Sequence, residues 1–243
     1  MDERLTPAEA HLPPPGSSIG TATGLDDPRA LQILSTEHWS LLSARSLVYN
    51  EAFSRAGTFL TFLSASLVSL ALVAQAMGFQ GEFLLFAVIV LVFDFFIGIV
   101  TYLRVLDTTA EDLRAIQGMN RIRHAYVEMA PQVARYLSSS WYDDAYGVFV
   151  TYGEAPTHTT AMQRLIHGLT TVNGMVGTTT SAIGGVIAGL LVGFTGQAGL
   201  VAIVAGVVGF LVLQTMLGRY EHRTLAAIEG GLEVRFPTPT ADS

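Results

Sequence analysis

The stretch "FAVIVLVFDFFIGIV" (residues 86–100) contains one charge, Asp94, in an otherwise apolar run. A helix of about 20 such residues crosses a hydrocarbon core about 30 Å thick, so this stretch places the chain in a bilayer and puts a carboxylate at depth. The wider composition agrees: half of the 243 residues are apolar, 14% are charged and the mean hydropathy is +0.45. Between Arg55 and Glu82 lie 26 uncharged residues, and between Glu82 and Arg104 lie 21 whose only charge is Asp94. From Gly168 to Gly218 no Asp, Glu, Arg or Lys occurs, which suffices for two more crossings, with "GFTGQAG" (193–199) as the turn. The expectation is an all-α, polytopic membrane helix bundle with four transmembrane helices and long cytoplasmic helical extensions.

All thirteen basic residues are arginine, and the short loops "MGFQGE" (77–82) and "GFTGQAG" have none. The positive-inside rule then predicts both termini and residues 105–167 in the cytoplasm, and the location as the inner (cytoplasmic) membrane. The first thirty residues carry Asp2 and Glu3 and no apolar core, so the expectation is no cleavable signal peptide, with the first span as signal anchor. Cysteine is absent, which excludes disulfides, thiolate catalysis and cysteine-ligated metal. The net charge of −7 and the lack of a dense arginine stripe argue against nucleic acid as a partner.

The organisation follows from composition and periodicity. Residues 1–34, rich in Pro, Gly and small polar residues, read as a disordered tail. Thr36 and Glu37 read as a helix start, and Leu41, Leu42, Val48, Tyr49, Ala52 and Phe53 recur at helical spacing, giving an amphipathic cytoplasmic helix over 35–56. A transmembrane pair follows over 57–104. Asp107 or Thr109 can cap a second helix in the cytoplasmic segment 105–167, with Ile116, Met119, Ile122, Tyr126 and Met129 as its apolar stripe and Pro131 at its end. The aromatic, turn-rich residues 138–159 read as an irregular loop packed on those helices. The Gly-rich transmembrane pair takes 168–218, and a cytoplasmic C-terminal tail takes 219–243.

A charge at a helix centre costs ~2.5–3.5 kcal/mol on insertion scales and usually faces protein or water. Ala87, Asp94 and Thr101 lie seven apart with Gly98 beside them, while Phe93, Phe95, Phe96 and Ile99 fill the other faces. Two readings stay open: Asp94 is an ion or proton site in a wet path, or a structural group, protonated or bonded to Ser, Thr or Asn of a neighbouring helix. The first span offers Gly57, Thr61, Ser64, Ala71 and Gln75 on one heptad stripe interrupted by Val68. In the third span Gly177, Ser181, Gly185, Gly189 and Gly193 run at four-residue spacing as a glycine zipper, answered by Ala198, Ala202 and Gly206 in the fourth. Tight packing within one chain and a subunit interface both fit that pattern. Thr170, Asn173, Gly177, Thr180 and Gly184 form an adjoining face too polar for lipid. Asp94, Thr101, Thr170, Asn173 and Thr180 are therefore the candidate pore or ion-site residues.

No phosphate loop, zinc helix, nucleophile elbow or dinucleotide fingerprint occurs, and no cofactor is expected. His124 and Glu128, four apart, could begin a metal site but fit a solvated helix face better, and the adjacent Asp143 and Asp144 fit a loop or cap better than a metal site. An intramembrane aspartyl protease would need two carboxylates sharing a proton, and only Asp94 lies inside a span, so the protein reads as no enzyme. The runs "EHWSLLSARSLVYNEAFSRAGTFLTFLSASLVSLALVAQA" (37–76) and "GMNRIRHAYVEMAP" (118–131) resemble a group of uncharacterised actinobacterial four-span integral membrane proteins, best over residues 37–152. The layout is also similar to small membrane effectors of the SLATT type, which implies pore formation; those effectors usually have two spans, and the pair 168–218 is additional here. The function read from the sequence is an oligomeric ion channel or pore-like protein, with the lipid bilayer and other copies of itself as partners. The alternative is a non-conducting scaffold or regulator that recruits a cytoplasmic partner.

Overall fold

In the computed structural model of the protein, the structure describes residues 24–78, 81–153, 170–196 and 198–239. The elements in chain order are α1 (Pro28–Met77), α2 (Gly81–Met129), a 3-10 turn (Pro131–Tyr136), α3 (Ala145–Tyr152), α4 (Val172–Gly193) and α5 (Gly199–Gly230). No strand occurs among the described residues. Four of the helices, α1, α2, α4 and α5, are long and apolar enough to cross a membrane.

The start of α1 shows why the expected boundary at residue 35 is displaced. Asp27 accepts from the Arg29 N–H at 2.8 Å and Pro28 holds the first helical position, a stronger start than Thr36 and Glu37 because a carboxylate and a fixed φ act together. Thr36 is already inside the helix, its hydroxyl donating to Gln32 O at 2.8 Å. Residues 28–34 are thus helical rather than tail, while 1–23 of the expected tail lie outside the described residues. The helix ends where Gly78, at φ 71°, turns its N–H back to Ala74 O. With 50 residues, α1 is roughly 75 Å long.

The expected break after residue 104 does not occur, and α2 runs for 49 residues without interruption. The hydroxyls of Thr108 and Thr109 donate to Val105 O at 2.7 and 3.2 Å inside the helix instead of capping a new one. Packing decides this, because Val105, Leu106, Ala110 and Leu113 carry the buried face of the membrane-type half straight into the polar half. The helix stops at Met129, ahead of Pro131.

In space the long helices form a row, α1 against α2, α2 against α4, and α4 against α5. One core lies in the apolar half and includes Phe59, Leu70, Phe83, Leu91, Tyr102, Val176 and Ile183. A second lies in the polar half, where Leu113, Ile116, Met119 and Val148 of α2 and α3 meet Leu41 of α1 and Leu225, Ile228 and Leu232 at the C-terminal end. The segment expected as a C-terminal tail therefore continues α5 as helix to Gly230 and then folds back as a strap over residues 231–239. Likewise part of the expected irregular loop is the short helix α3, capped by Asp144; residues 154–159 of that loop lie outside the described residues.

Glycines set the contact between α4 and α5. A Cβ on Gly185 would come within 2.7 Å of Gly206 O, and one on Gly189 within 3.0 Å of Ala202 O, whereas one on Gly193 would meet nothing within 4 Å. Backbones this close gain dispersion contacts that drive helix association where lipid removes the hydrophobic contrast. Gly185→Leu is expected to lower the thermal unfolding temperature in detergent, with overpacking costing about 1–3 kcal/mol or more, while Gly193→Leu leaves it near wild type. Equal effects of the two changes would refute this account of the contact.

Candidate functional site

The inner face of α2 presents Asp94, Gly98, Tyr102 and Val105 to α1 and α4. Missing side chains make the approach possible: a Cβ on Gly98 would collide with Thr180 Oγ1 and Phe59 Cζ, and one on Gly177 would lie 2.9 Å from the Tyr102 ring. The space beside Asp94 that small residues leave is thus filled by α1 and α4. Asp94 has no exposure; its Oδ1 accepts from Ser66 Oγ of α1 at 3.0 Å, and its Oδ2 is enclosed without a partner among the described residues. Along the same seam Thr180 is buried and donates to Val176 O at 2.8 Å. Ser181 Oγ is buried without a partner among the described residues. The Asn173 amide lies beside the Tyr102 hydroxyl, but neither of its atoms makes a hydrogen bond of good geometry. Tyr102 closes the seam by donating to Leu217 O of α5 at 2.9 Å, with Glu221 Oε2 3.2 Å away.

Of the residues the sequence singled out, Asp94, Asn173 and Thr180 are buried on this seam, Thr101 is half-buried and Thr170 is exposed near the start of α4. Gly177, Ser181 and Gly185 are buried, Gly189 is half-buried and Gly193 is exposed. The stripe of α1, by contrast, points out of the fold: Gly57, Thr61, Ser64, Val68, Ala71 and Gln75 are all exposed, and nothing lies within 4 Å of a Cβ on Gly57. Thr58, Thr61 and Ser64 donate to carbonyls of their own helix at 2.8, 2.8 and 2.7 Å, which leaves their oxygens as acceptors on that face. At the polar end of the stripe Glu51 bridges Arg55 and Arg104 at 2.8 and 2.9 Å, and these two guanidinium groups hold its carboxyl below the usual carboxylate range. The other edge of the row is different in kind. No residue of α5 is buried, and its exposed Leu200, Ile203, Val207, Leu211, Val212 and Met216 form an apolar surface.

The polar half adds contacts that no local pattern announces. Arg45 of α1 donates through Nε to Asp112 Oδ1 of α2 at 2.7 Å, and the Asp112 side chain is only 4% exposed. Burial pushes that carboxyl up, and Arg45 opposes the shift. Asp143 is wholly buried, pairs with Arg121 Nε at 2.7 Å, and accepts from the backbone N–H groups of Arg235 at 3.1 Å and Phe236 at 2.7 Å. Asp144 caps α3 through the Gly147 N–H at 2.8 Å and also takes the Thr238 N–H at 2.9 Å. The two adjacent aspartates, ambiguous in the sequence, are thus the clamp that holds the strap. Gln117 supports it from α2 by donating to the carbonyls of Asp143 and Glu233 at 2.9 and 3.1 Å. His124 is occupied by the same strap, stacked on Phe236 with ring centres 4.0 Å apart and 3.4 Å from Glu128. Among the described residues no three His, Cys, Asp or Glu converge as a metal site would require.

No family model, no curated protein and no solved structure matches the chain, so the reading of the site rests on this geometry.

Burial works against ionisation of Asp143, but Arg121 and the two backbone N–H groups outweigh it and hold its carboxyl below the ordinary Asp value of 3.8. A depressed carboxylate contributes stability that is present above the unfolded value and is lost as pH falls through the lower folded one. The strap is therefore expected to stay docked at neutral pH and to release in that acid window. Asp143→Asn should lower hydrogen-exchange protection of the Arg235 and Phe236 amides about tenfold at neutral pH, since each tenfold is roughly 1.4 kcal/mol, and should flatten the acid transition. Unchanged protection would show that the strap is held by other contacts.

Proposed function

We propose that the protein is an oligomeric ion channel or pore-like protein of the cytoplasmic membrane, in which copies assemble with the outward face of α1 toward a shared axis. The observation that carries this reading is the difference between the two edges of the helix row. One edge, α5, exposes only apolar residues over 199–214 and suits lipid there. The other, α1, exposes a glycine, hydroxyls and an amide at membrane depth, a surface that suits another helix or water better than acyl chains. Four spans in one row enclose no sizeable aqueous path, so conduction requires copies around an axis.

In this arrangement Asp94 acts from behind the pore wall. Its bond to Ser66 fixes the rotation of α1 about its own axis, which turns Thr61 and Ser64 outward, while Glu51 and Arg55 stand at the inner mouth. The described arginines all belong to the polar half, the N-terminal end of α1 or the C-terminal end of α5, a distribution that favours a topology with both termini in the cytoplasm. Pore formation is also the activity that the resemblance to SLATT-type effectors implies.

The absence of cysteine in the natural chain makes the test direct. Gly57→Cys and Ala71→Cys should crosslink copies under oxidation into a ladder ending at a defined size, and Val207→Cys should not. In reconstituted bilayers, current through Thr61→Cys or Ser64→Cys should fall on treatment with a charged thiol reagent, whereas Thr180→Cys should be inert. A monodisperse monomer in detergent together with silent bilayers would overturn the channel and leave the alternative, a scaffold whose polar half recruits a partner.

A further inference from the structure

Where the two halves of the molecule join, α1, α2 and α5 surround a cavity of about 360 Å³, with α3 and the first residues of α4 completing the wall. That volume is in the lower part of the ~300–1,000 Å³ range of small-molecule sites and would hold on the order of a dozen waters. Its lining has a definite chemistry. Two carboxylates, Asp112 and Glu221, and the amide of Asn173 share it with four aromatic rings, and no arginine is among the described lining residues.

The polar atoms on this wall are those the fold leaves incomplete. Asp112, 3% exposed, gives Oδ1 to Arg45, but its Oδ2 is enclosed with no partner. Asn173, 5% exposed, has both amide atoms enclosed without a hydrogen bond of good geometry. A buried polar group without a partner is costly, more so when charged, so two residues of one cavity wall that lack one among the described residues point to something that satisfies them there. Glu221 adds negative potential without a basic neighbour on the wall, since Arg45 lies behind Asp112 and not among the lining residues. Phe53, Phe149 and Tyr152 line the cavity, aromatic rings attract a desolvated cation, and the aliphatic remainder suits an apolar body.

We propose that this cavity binds a small organic cation, an ammonium or related N–H donor carried on an apolar body, with Asp112 and Glu221 taking the charge, Asn173 orienting the donor and Phe53, Phe149 and Tyr152 enclosing the rest. Among the described residues the wall has two carboxylates and no third ligand of the kind a divalent metal requires. An anion would meet two carboxylates and, among the described residues of the wall, no guanidinium. The site is independent of whether the assembly conducts, because it lies within one chain and its groups belong to the polar half and its junction with the spans. It nevertheless joins Phe53, one turn from the start of the exposed α1 stripe, to Glu221 at the opposite edge of the row, so occupancy would couple the two edges.

The test uses the full chain in detergent, with phenethylammonium as the probe and 2-phenylethanol and phenylacetate as neutral and anionic probes of similar size. Phenethylammonium is expected to raise the unfolding temperature saturably and to give a one-site isotherm in titration calorimetry, while the other two have no comparable effect. Glu221→Gln and Phe149→Leu should each weaken the fitted affinity about tenfold, the scale of one charge-assisted or cation–π contact, while the unliganded protein keeps its helical signal. Asp112→Asn should weaken it further; because that change also disturbs the pair with Arg45, Glu221→Gln and Phe149→Leu decide the matter if it unfolds. An equal response to 2-phenylethanol, no saturable response to the cation, or full binding by folded Glu221→Gln and Phe149→Leu would each overturn the proposal.

Discussion

The structure depends on one constraint: α2 carries a carboxylate into the apolar half of the molecule, and that carboxylate has to be surrounded. Asp94 is enclosed on one side by α1, whose Ser66 donates to it, and on the other by α4, which approaches because Gly98 and Gly177 leave room for Thr180 and Tyr102. A charged or polar group unmatched in hydrocarbon costs several kcal/mol, so the order of helices in the row follows from where α2 needs cover. The central helix is the one with the carboxylate. The helix that carries none of this burden, α5, stays at the edge and buries no residue.

The same helices continue beyond the apolar half without a break, so the two halves are joined by continuous helices. In α2, a 49-residue helix, packing at one end is transmitted along a stiff rod to the other. The polar half is held by buried pairs of long sequence separation, Arg45 with Asp112 and Arg121 with Asp143, and by the strap that Asp143 and Asp144 grip. A buried pair of this kind is weak evidence for added stability, because desolvation offsets attraction. What these pairs do is exclude other registers, since displacing either helix by one turn would strand a charge.

Between these levels lies the 360 Å³ cavity, floored by Asn173 from the polar seam and walled by Asp112 from the extension. Beside it lie the polar groups of the seam, Asn173 next to the Tyr102 hydroxyl and Tyr102 against Glu221. The edge of the row where α1 is exposed is polar enough to need covering, and the cavity touches that helix just before the exposed stripe begins.

The presence of four helices capable of crossing a membrane was legible in the chain, because span length and the exclusion of charge are one-dimensional properties. So were the turns at Gly78 and Gly196, where positive φ favours glycine, and the end of α2 before Pro131. The small residues of α4 could be read as contacts, but not their partners: Gly98 meets Thr180 and Gly185 meets Gly206 only because the chain returns antiparallel at one particular register. The stripe of α1 shows the limit most clearly. In sequence it resembles a surface for Asp94, yet it turns outward while Ser66, outside the stripe, makes the bond, because periodicity defines which residues share a face and not which face looks inward. The cavity joins residues as distant in sequence as Val48 and Leu225, and the strap clamp joins Asp144 to Thr238; no local pattern contains such a pairing. Length and hydropathy determined that the chain belongs in a bilayer; only tertiary packing decided which of its polar groups are enclosed, which are exposed, and which remain without a partner.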